Sequence, residues 1–192
     1  MITPFSAIIP AAGNSRRMGQ HKALLEYLPG QTFAEYLTSF YSSFGCNRVI
    51  LILNPETHRY QFSDLPCNIV INRHTDRGRS FSIELGLAGI HDGHLCFIHN
   101  IDNPCIDKTL LDLLLRNIAP DSFVVPVYEG RGGHPVLLGE EVVDYLKGLE
   151  KLEDFRNELK RFRRIEVEYP DERICWNINT EENYMKFLNS RT

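Results

Sequence analysis

The sequence has no C-x-x-C pair, no excess of basic residues and no long apolar run, and each absence removes a class of function. Its five cysteines, Cys46, Cys67, Cys96, Cys105 and Cys175, are scattered, and several lie inside apolar runs such as Leu95–Ile98. They read as buried reduced thiols, and their spacing supports neither a disulfide framework nor a zinc site. Lysine and arginine together number 21 against 25 acidic residues, a formal net charge of −4. No positive field of the kind that holds a nucleic-acid backbone follows from that balance, so a nucleic-acid partner is disfavoured. Residues 1–10 offer only a few apolar side chains with no basic region before them, which fits neither a signal peptide nor a membrane span. A soluble, cytoplasmic protein with no membrane partner is expected. Two common phosphate-binding signatures are also missing: there is no G-x-G-x-x-G, and no Walker loop in which lysine directly follows the second glycine.

What is present is ordinary globular composition, 43% hydrophobic and 24% charged over 192 residues, long enough for one domain, residues 1–192, with a large core. Short apolar runs rich in β-branched residues recur at Phe5–Ala11, Val49–Leu53, Asn68–Ile71, Leu95–Ile98 and Phe123–Val127. Their near-continuous hydrophobicity predicts strands buried on both faces. Between them, Thr32–Phe44, Ser80–Ile90 and Lys108–Ile118 carry apolar residues at helical spacing. Alternating strands and helices predict an α/β layer fold with a mostly parallel sheet, whose ligands sit beyond the carboxyl ends of the strands. After Val127 the pattern changes. A flexible turn at Gly130–Gly133 precedes a short apolar run, helices over Glu140–Gly148 and Leu152–Phe162, a strand near Ile165–Tyr169 and a closing helix from Glu181. The sign-alternating stretch Glu150–Arg164 reads as a solvated helix face.

The first strand runs into Ala11-Ala12-Gly13-Asn14-Ser15-Arg16-Arg17-Met18-Gly19, with Lys22 three residues on. Gly13 and Gly19 let the main chain curl and aim N–H groups at an anion, while Arg17 and Lys22 add charge. The turn reads as a phosphate cradle rather than a basic surface turn, because it follows the first buried strand. Asp102, in Ile98-His99-Asn100-Ile101-Asp102-Asn103-Pro104, stands at the end of another strand, where a carboxylate can hold Mg²⁺. It could instead cap the following helix, although Asp107 is the better N-cap. Asn177 and Asn179 lie two apart on an extended segment, which gives them one face and makes both candidate metal ligands; Asn179 or Thr180 could also cap the last helix.

These elements together resemble one family. Ala-Ala-Gly-x-Ser-x-Arg-Met-Gly-x-x-Lys is similar to the signature of the MobA/MocA-like molybdenum-cofactor nucleotidyltransferases, within the nucleotide-diphospho-sugar transferase superfamily. Asp102 resembles the family's Gly-Asp-x-Pro, with Ile101 in place of glycine, and Asn177–Tyr184 resembles its closing Asn-x-Asn-Thr-Pro-Glu-Asp or Asp-x-Asp-Thr-Pro-Glu-Asp. Gly78-Arg79-Ser80-Phe81-Ser82 is similar to its Gly-x-Ser-x-Ser segment, and Gly130–Pro135 to the Gly-x-x-Gly-His-Pro of cytidylyl-type members. The resemblance implies a three-layer α/β/α Rossmann-like fold and Mg²⁺-dependent transfer of a nucleotidyl group from a nucleoside triphosphate, CTP first, to a small phosphorylated acceptor such as molybdopterin. It implies catalytic roles for Arg17, Lys22 and Asp102, and nucleotide contacts from Ala11 to Ser15, Arg17, Met18, Gly19, Lys22, Gly78, Ser80 and Ser82. Gly133, His134 and Pro135 fall on the acceptor side, where His134 is either catalytic or a structural histidine bonded to backbone. One departure stands out. Where cytidylyl-type members carry Gly-Asp-x-Gly-Ala, residues Leu149–Phe155 read as continuing helix, so the acceptor pocket is expected to differ. A sugar or alcohol phosphate acceptor, or a nucleotide-binding regulator without catalysis, are the alternatives.

Overall fold

The computed structural model describes residues 3–15, 18–59, 62 and 65–190. In chain order its strands are β1 (Phe5–Pro10), β2 (Glu26–Leu28), β3 (Gln31–Thr32), β4 (Arg48–Leu53), β5 (Asn68–Ile71), β6 (Leu95–Ile98), β7 (Ser122–Tyr128), β8 (Arg131–Gly132), β9 (Val136–Leu138) and β10 (Arg163–Glu168). The helices are α1 (Phe33–Phe44), α2 (Pro55–His58), α3 (Gly78–Leu87), α4 (Lys108–Asn117), α5 (Glu140–Gly148), α6 (Phe155–Leu159) and α7 (Glu181–Asn189). Among the described residues the main sheet runs β10-β7-β9-β6-β1-β4-β5, with β8 paired to β7, and β2 and β3 form a separate hairpin. Pairing is parallel at β1/β4, β1/β6, β4/β5 and β7/β10; β9 inverts the order, lying antiparallel to both β6 and β7, and the short β8 is antiparallel to β7.

The alternation of side chains along each strand divides the core into two layers. Ala7 and Ile9 of β1 join Phe33, Leu37 and Tyr41 of α1 and Leu110 and Leu114 of α4 on one face. Ile8 joins Ile83 and Leu87 of α3 and Val142 and Leu146 of α5 on the other. Burying each such aliphatic or aromatic side chain stabilises the fold by roughly 1.5–3 kcal/mol. The expected α/β sandwich with a mostly parallel sheet is therefore what forms.

Local chemistry fixes the helix starts. Thr32 Oγ1 accepts from Glu35 N at 3.2 Å while Thr32 N donates to Glu35 Oε2 at 2.6 Å, a reciprocal cap on α1. Asp107 Oδ1 accepts from Leu110 N at 2.9 Å, so Asp107, not Asp102, is the cap of α4.

One stretch differs from expectation. Leu149–Asp154 is not continuing helix: Leu149 is extended (φ −70°, ψ 136°), and Asp154 caps a new, short α6 by accepting from Asn157 N at 3.1 Å. The backbone donors of this loop are taken from a distance, Leu152 N by Glu84 Oε2 at 2.7 Å and Phe155 N by Ser80 Oγ at 3.1 Å. Helix over Leu152–Phe162 accordingly shrinks to Phe155–Leu159. Among the described residues no helix is long and apolar enough to cross a membrane.

Candidate active site

A cavity of about 350 Å³ opens beyond the carboxyl ends of β1, β5 and β6. Ala11, Ala12 and Gly13 reach it from the turn after β1, Asn72 from the end of β5, Ser82 from α3 and Asp102 from the loop after β6. The turn after β1 is held in a tight curl. Ser15 takes φ 46° and Gly19 φ 64°, values that favour glycine at the second position, and Met18 N donates to Ser15 O at 2.8 Å. Ser15 Oγ then accepts from Lys22 N at 3.2 Å, which ties the start of the next helical turn to the loop. Ser15 and Met18 line the cavity, whereas Asn14 and Gly19 are exposed and do not. Arg17 lies outside the described residues.

Lys22 is the centre of the site. Its Nζ lies 2.8 Å from Asp102 Oδ2 and 2.6 Å from Asn179 Oδ1, joining residues 80 and 157 positions apart. Side-chain exposures of 14% for Lys22 and 20% for Asp102 mean that the pair is partly desolvated, so each charge depends on the other. The main chain fixes this meeting point, because Ile178 N donates to Asp102 O at 2.8 Å. Thr180 Oγ1 supplies the cap of α7 by accepting from Asn183 N at 3.2 Å, and this releases the Asn179 amide to face the cavity. Asn177 does not join it. The segment after Cys175 is not a regular strand, so spacing of two does not give one face; Asn177 is exposed and its Nδ2 donates to Cys175 O at 3.2 Å. Among the described residues no cluster of three or more His, Cys, Asp or Glu is arranged to hold a metal.

The first turns of α3 form another wall. Gly78 and Ser82 line the cavity, and Ser82 Oγ accepts from Asn72 Nδ2 at 3.0 Å. Ser80, expected beside them, turns away: residues two apart on a helix face in nearly opposite directions, and its hydroxyl is occupied by Phe155 N. Arg79, three residues before Ser82, does line the cavity. Sequence reading passed over Arg79 and Asn72 as ligand groups; for Arg79 the signal was its helical offset of three from Ser82. Burial first, then the nearby Arg156, lowers the guanidinium's pKa to about 10, while Asp102 acts in the opposite direction.

On the remaining side stand Asn100 and His134. Because β9 runs antiparallel to β6, the residues that precede it arrive at the edge where β6 ends, and Asn100 Nδ2 donates to His134 Nε2 at 3.0 Å. Gly133 permits this approach. A Cβ there would lie 2.7 Å from Ile174 O, and His134 N donates to the same carbonyl at 3.0 Å. The His134–Pro135 peptide bond is cis. Neither Gly133, His134 nor Pro135 lines the cavity itself; Asn100 stands between. His99 is buried behind, its ring parallel to His134 with centroids 6.4 Å apart. Its Nε2 must donate to Asn103 O at 2.6 Å, so Nδ1 accepts from Tyr41 Oη at 2.9 Å. Burial holds both imidazoles neutral, with pKa values lowered to about 4 for His99 and about 3 for His134.

The chain is similar to known proteins in sequence and in fold. Residues 7–168 match the MobA-like NTP transferase domain. The chain is 24% identical over 189 residues to the molybdenum cofactor cytidylyltransferase of Escherichia coli (strain K12), covering 96% of this chain and 95% of that protein. It is 29% identical over 191 residues to a probable molybdenum cofactor guanylyltransferase of Natranaerobius thermophilus, covering 93% and 92%. In fold it is similar to Rv0371c of Mycobacterium tuberculosis H37Rv, with a TM-score of 0.82 at 21% identity over 98% of this chain and 99% of that one. A complex of Rv0371c with manganese superposes at a TM-score of 0.76, with 20% identity over 98% of this chain and 100% of that one. With a family match across most of its length, the chain belongs to the MobA-like NTP transferase family of nucleotidyltransferases.

Proposed function

We propose that this single-domain protein transfers a nucleoside monophosphate from a nucleoside triphosphate, CTP first, to a phosphate oxygen of a small acceptor, and releases pyrophosphate. The observation that carries this reading is the convergence of Lys22 Nζ, Asp102 Oδ2 and Asn179 Oδ1 beside the curled turn after β1. In the reaction an acceptor phosphate oxygen forms a bond to the α-phosphorus as the bond from that phosphorus to the bridging oxygen breaks, and the electron pair leaves with pyrophosphate. Lys22 and, on the family resemblance, Arg17 neutralise the charge that gathers on the leaving group. The Gly13–Ser15 main chain orients the triphosphate, and Ser82 with Asn72 borders the base and ribose. No nucleophile from the protein is required.

The oxygens of Asp102 and Asn179 meet at the point where a cation, the Lys22 ammonium, already sits, and a carboxylate with an amide oxygen is a hard donor set that suits Mg²⁺. The two residues therefore fit the metal as its protein ligands, with the remaining positions left to phosphate oxygens and water. When bound, Mg²⁺ supplies charge stabilisation at the phosphoryl oxygens. Asn177 is withdrawn from the ligand set on its position alone.

Molybdopterin is the first acceptor to try, on the printed names of the two curated relatives. The five free thiols support the cytoplasm as the compartment. The test is pyrophosphate release from CTP, GTP, ATP and UTP, each with Mg²⁺ or a chelator, in the presence of molybdopterin or of a sugar or alcohol phosphate. Mg²⁺-dependent release with CTP preferred is expected. A preference for GTP would overturn the cytidylyl assignment and leave the transfer reaction standing, whereas triphosphate binding without release under any condition would reduce the protein to a nucleotide-binding regulator.

A further inference from the structure

Two polar groups of the cavity wall have nothing in the protein to bond. The guanidinium of Arg79 lines the cavity with its Nε buried and unpaired, and Asn100 Oδ1 is buried and unpaired as well. No carboxylate among the described residues pairs with Arg79. Its guanidinium carbon lies 5.7 Å from the centre of the Phe155 ring, and the charges within electrostatic reach are a like one, Arg156 on α6, and Asp102, which is already paired with Lys22. A half-buried cation with an unmatched donor and a like charge nearby is costly, and an anionic ligand is what relieves it.

On the nucleotidyl-transfer reading given above, we infer that Arg79 is a specificity residue for the acceptor, binding the phosphate of a phosphomonoester while Asn100 accepts from a donor group beside it. Position favours the acceptor over the triphosphate. The triphosphate is served by the turn after β1 and by Lys22, and in-line displacement requires the attacking oxygen to enter opposite the departing pyrophosphate. Arg79 shares α3 with Ser82, but its guanidinium reaches toward Phe155, with Arg156, His134 and Asp102 among its electrostatic neighbours, and so faces the entry side. A planar guanidinium suits a terminal phosphate through paired N–H donors, a geometry lysine does not reproduce.

The test uses inorganic phosphate and glycerol 3-phosphate as probes. Their binding is followed by calorimetry on protein saturated with Mg²⁺ and a non-hydrolysable α,β-methylene CTP. The wild-type protein should bind both, and Arg79→Met should weaken them by about tenfold or more. Arg79→Lys should recover only part of that, and both variants should keep the nucleotide analogue within about threefold, the span left by losing no direct contact. A melting curve on each variant checks that it is folded. Probe binding equal to wild type in Arg79→Met overturns the proposal, and so does equal loss of probe and analogue, which would assign Arg79 to the nucleotide. The two readings fail separately: absence of analogue binding in the wild type sinks nucleotidyl transfer, and phosphate binding that still requires Arg79 would leave the anion subsite in place.

Discussion

Lys22 Nζ and Asp102 Oδ2 lie 2.8 Å apart, so the lysine occupies the carboxylate that the proposed metal would need. Lysine and metal therefore compete for one oxygen in the free protein. A bound triphosphate removes the conflict by giving Lys22 a new anionic partner, and nucleotide and metal binding should be mutually reinforcing. Mn²⁺ titration followed by electron paramagnetic resonance should show weak binding to the free protein and tighter binding with the CTP analogue present. In Lys22→Met the free protein should bind Mn²⁺ about tenfold more tightly than wild type, because a unit charge at contact distance has been removed. Turnover in the same variant should fall by roughly a hundredfold or more through loss of leaving-group stabilisation. Equal Mn²⁺ affinity in the two free proteins would mean that the metal does not use Asp102.

Asp102→Asn should abolish the metal dependence together with turnover, and Asn179→Ala should raise the Mg²⁺ concentration needed for half-maximal rate, since an amide oxygen is the weaker ligand. Asn177→Ala should match wild type, because its amide is bonded to Cys175 O at 3.2 Å outside the cavity. Metal titration of the rate in the three variants separates these outcomes.

Ser80→Ala should leave the choice between CTP and GTP unchanged, and Ser82→Ala should alter it. The two hydroxyls differ in partner, Phe155 N for Ser80 and Asn72 Nδ2 for Ser82, and Ser82 lines the cavity. Competition between the two nucleotides at equal concentration, with incorporation read by mass, decides the point.

Strands were the most legible part of the fold in the sequence. Leu95–Ile98 is delimited by the ends of its apolar run because it lies within the sheet between layers that exclude water, whereas Asn68–Ile71, although its bounds match its apolar run, is a half-buried edge strand rather than one buried on both faces. The Leu149–Phe155 stretch was misread for a definite reason: Leu149, Leu152 and Phe155 keep helical spacing, but their loop is closed by Glu84 and Ser80, some seventy positions away, and such partners leave no local trace. In the site, Lys22 and Asp102, which the structure brings to one cavity, were legible because each lies on a segment leaving the carboxyl end of a buried strand. Asn177 and Ser80 were not, since an offset of two carries opposite meanings on a strand and on a helix, and the local backbone was not yet known.

Acid should weaken the fold through two buried histidines. His99 and His134 are neutral in the folded protein, with pKa values of about 4 and about 3, and revert to ordinary values on unfolding. Below about pH 6.5 the unfolded chain therefore takes up protons that the folded one refuses, and stability falls by about 1.4 kcal/mol per pH unit for each histidine until its folded pKa is reached. Urea denaturation at pH 7.5, 5.5 and 4.5 should follow this slope, and His134→Asn should reduce it. An unchanged slope in the variant would exclude His134 as a source of the dependence.

Gly133→Ala should destabilise the protein by about 2 kcal/mol, since the added methyl meets main-chain oxygen at Ile174 rather than a side chain that can move. Loss of acceptor-dependent turnover with nucleotide-analogue binding retained is expected alongside. Urea denaturation and analogue titration on one preparation measure both.

The reversed direction of β9 also divides responsibility within the chain. The wall proposed to meet the triphosphate is built by segments leaving β1, β5 and β6, whereas His134 and its neighbours are delivered by a hairpin returning from β7. On the proposed reading, lengthening or exchanging the exposed residues 129–132 would remodel the entry side and leave the triphosphate wall unaltered, whereas Gly133 behind them is buried and has to stay. Such a layout makes that exposed turn the natural place to graft a relative's substrate preference onto this protein.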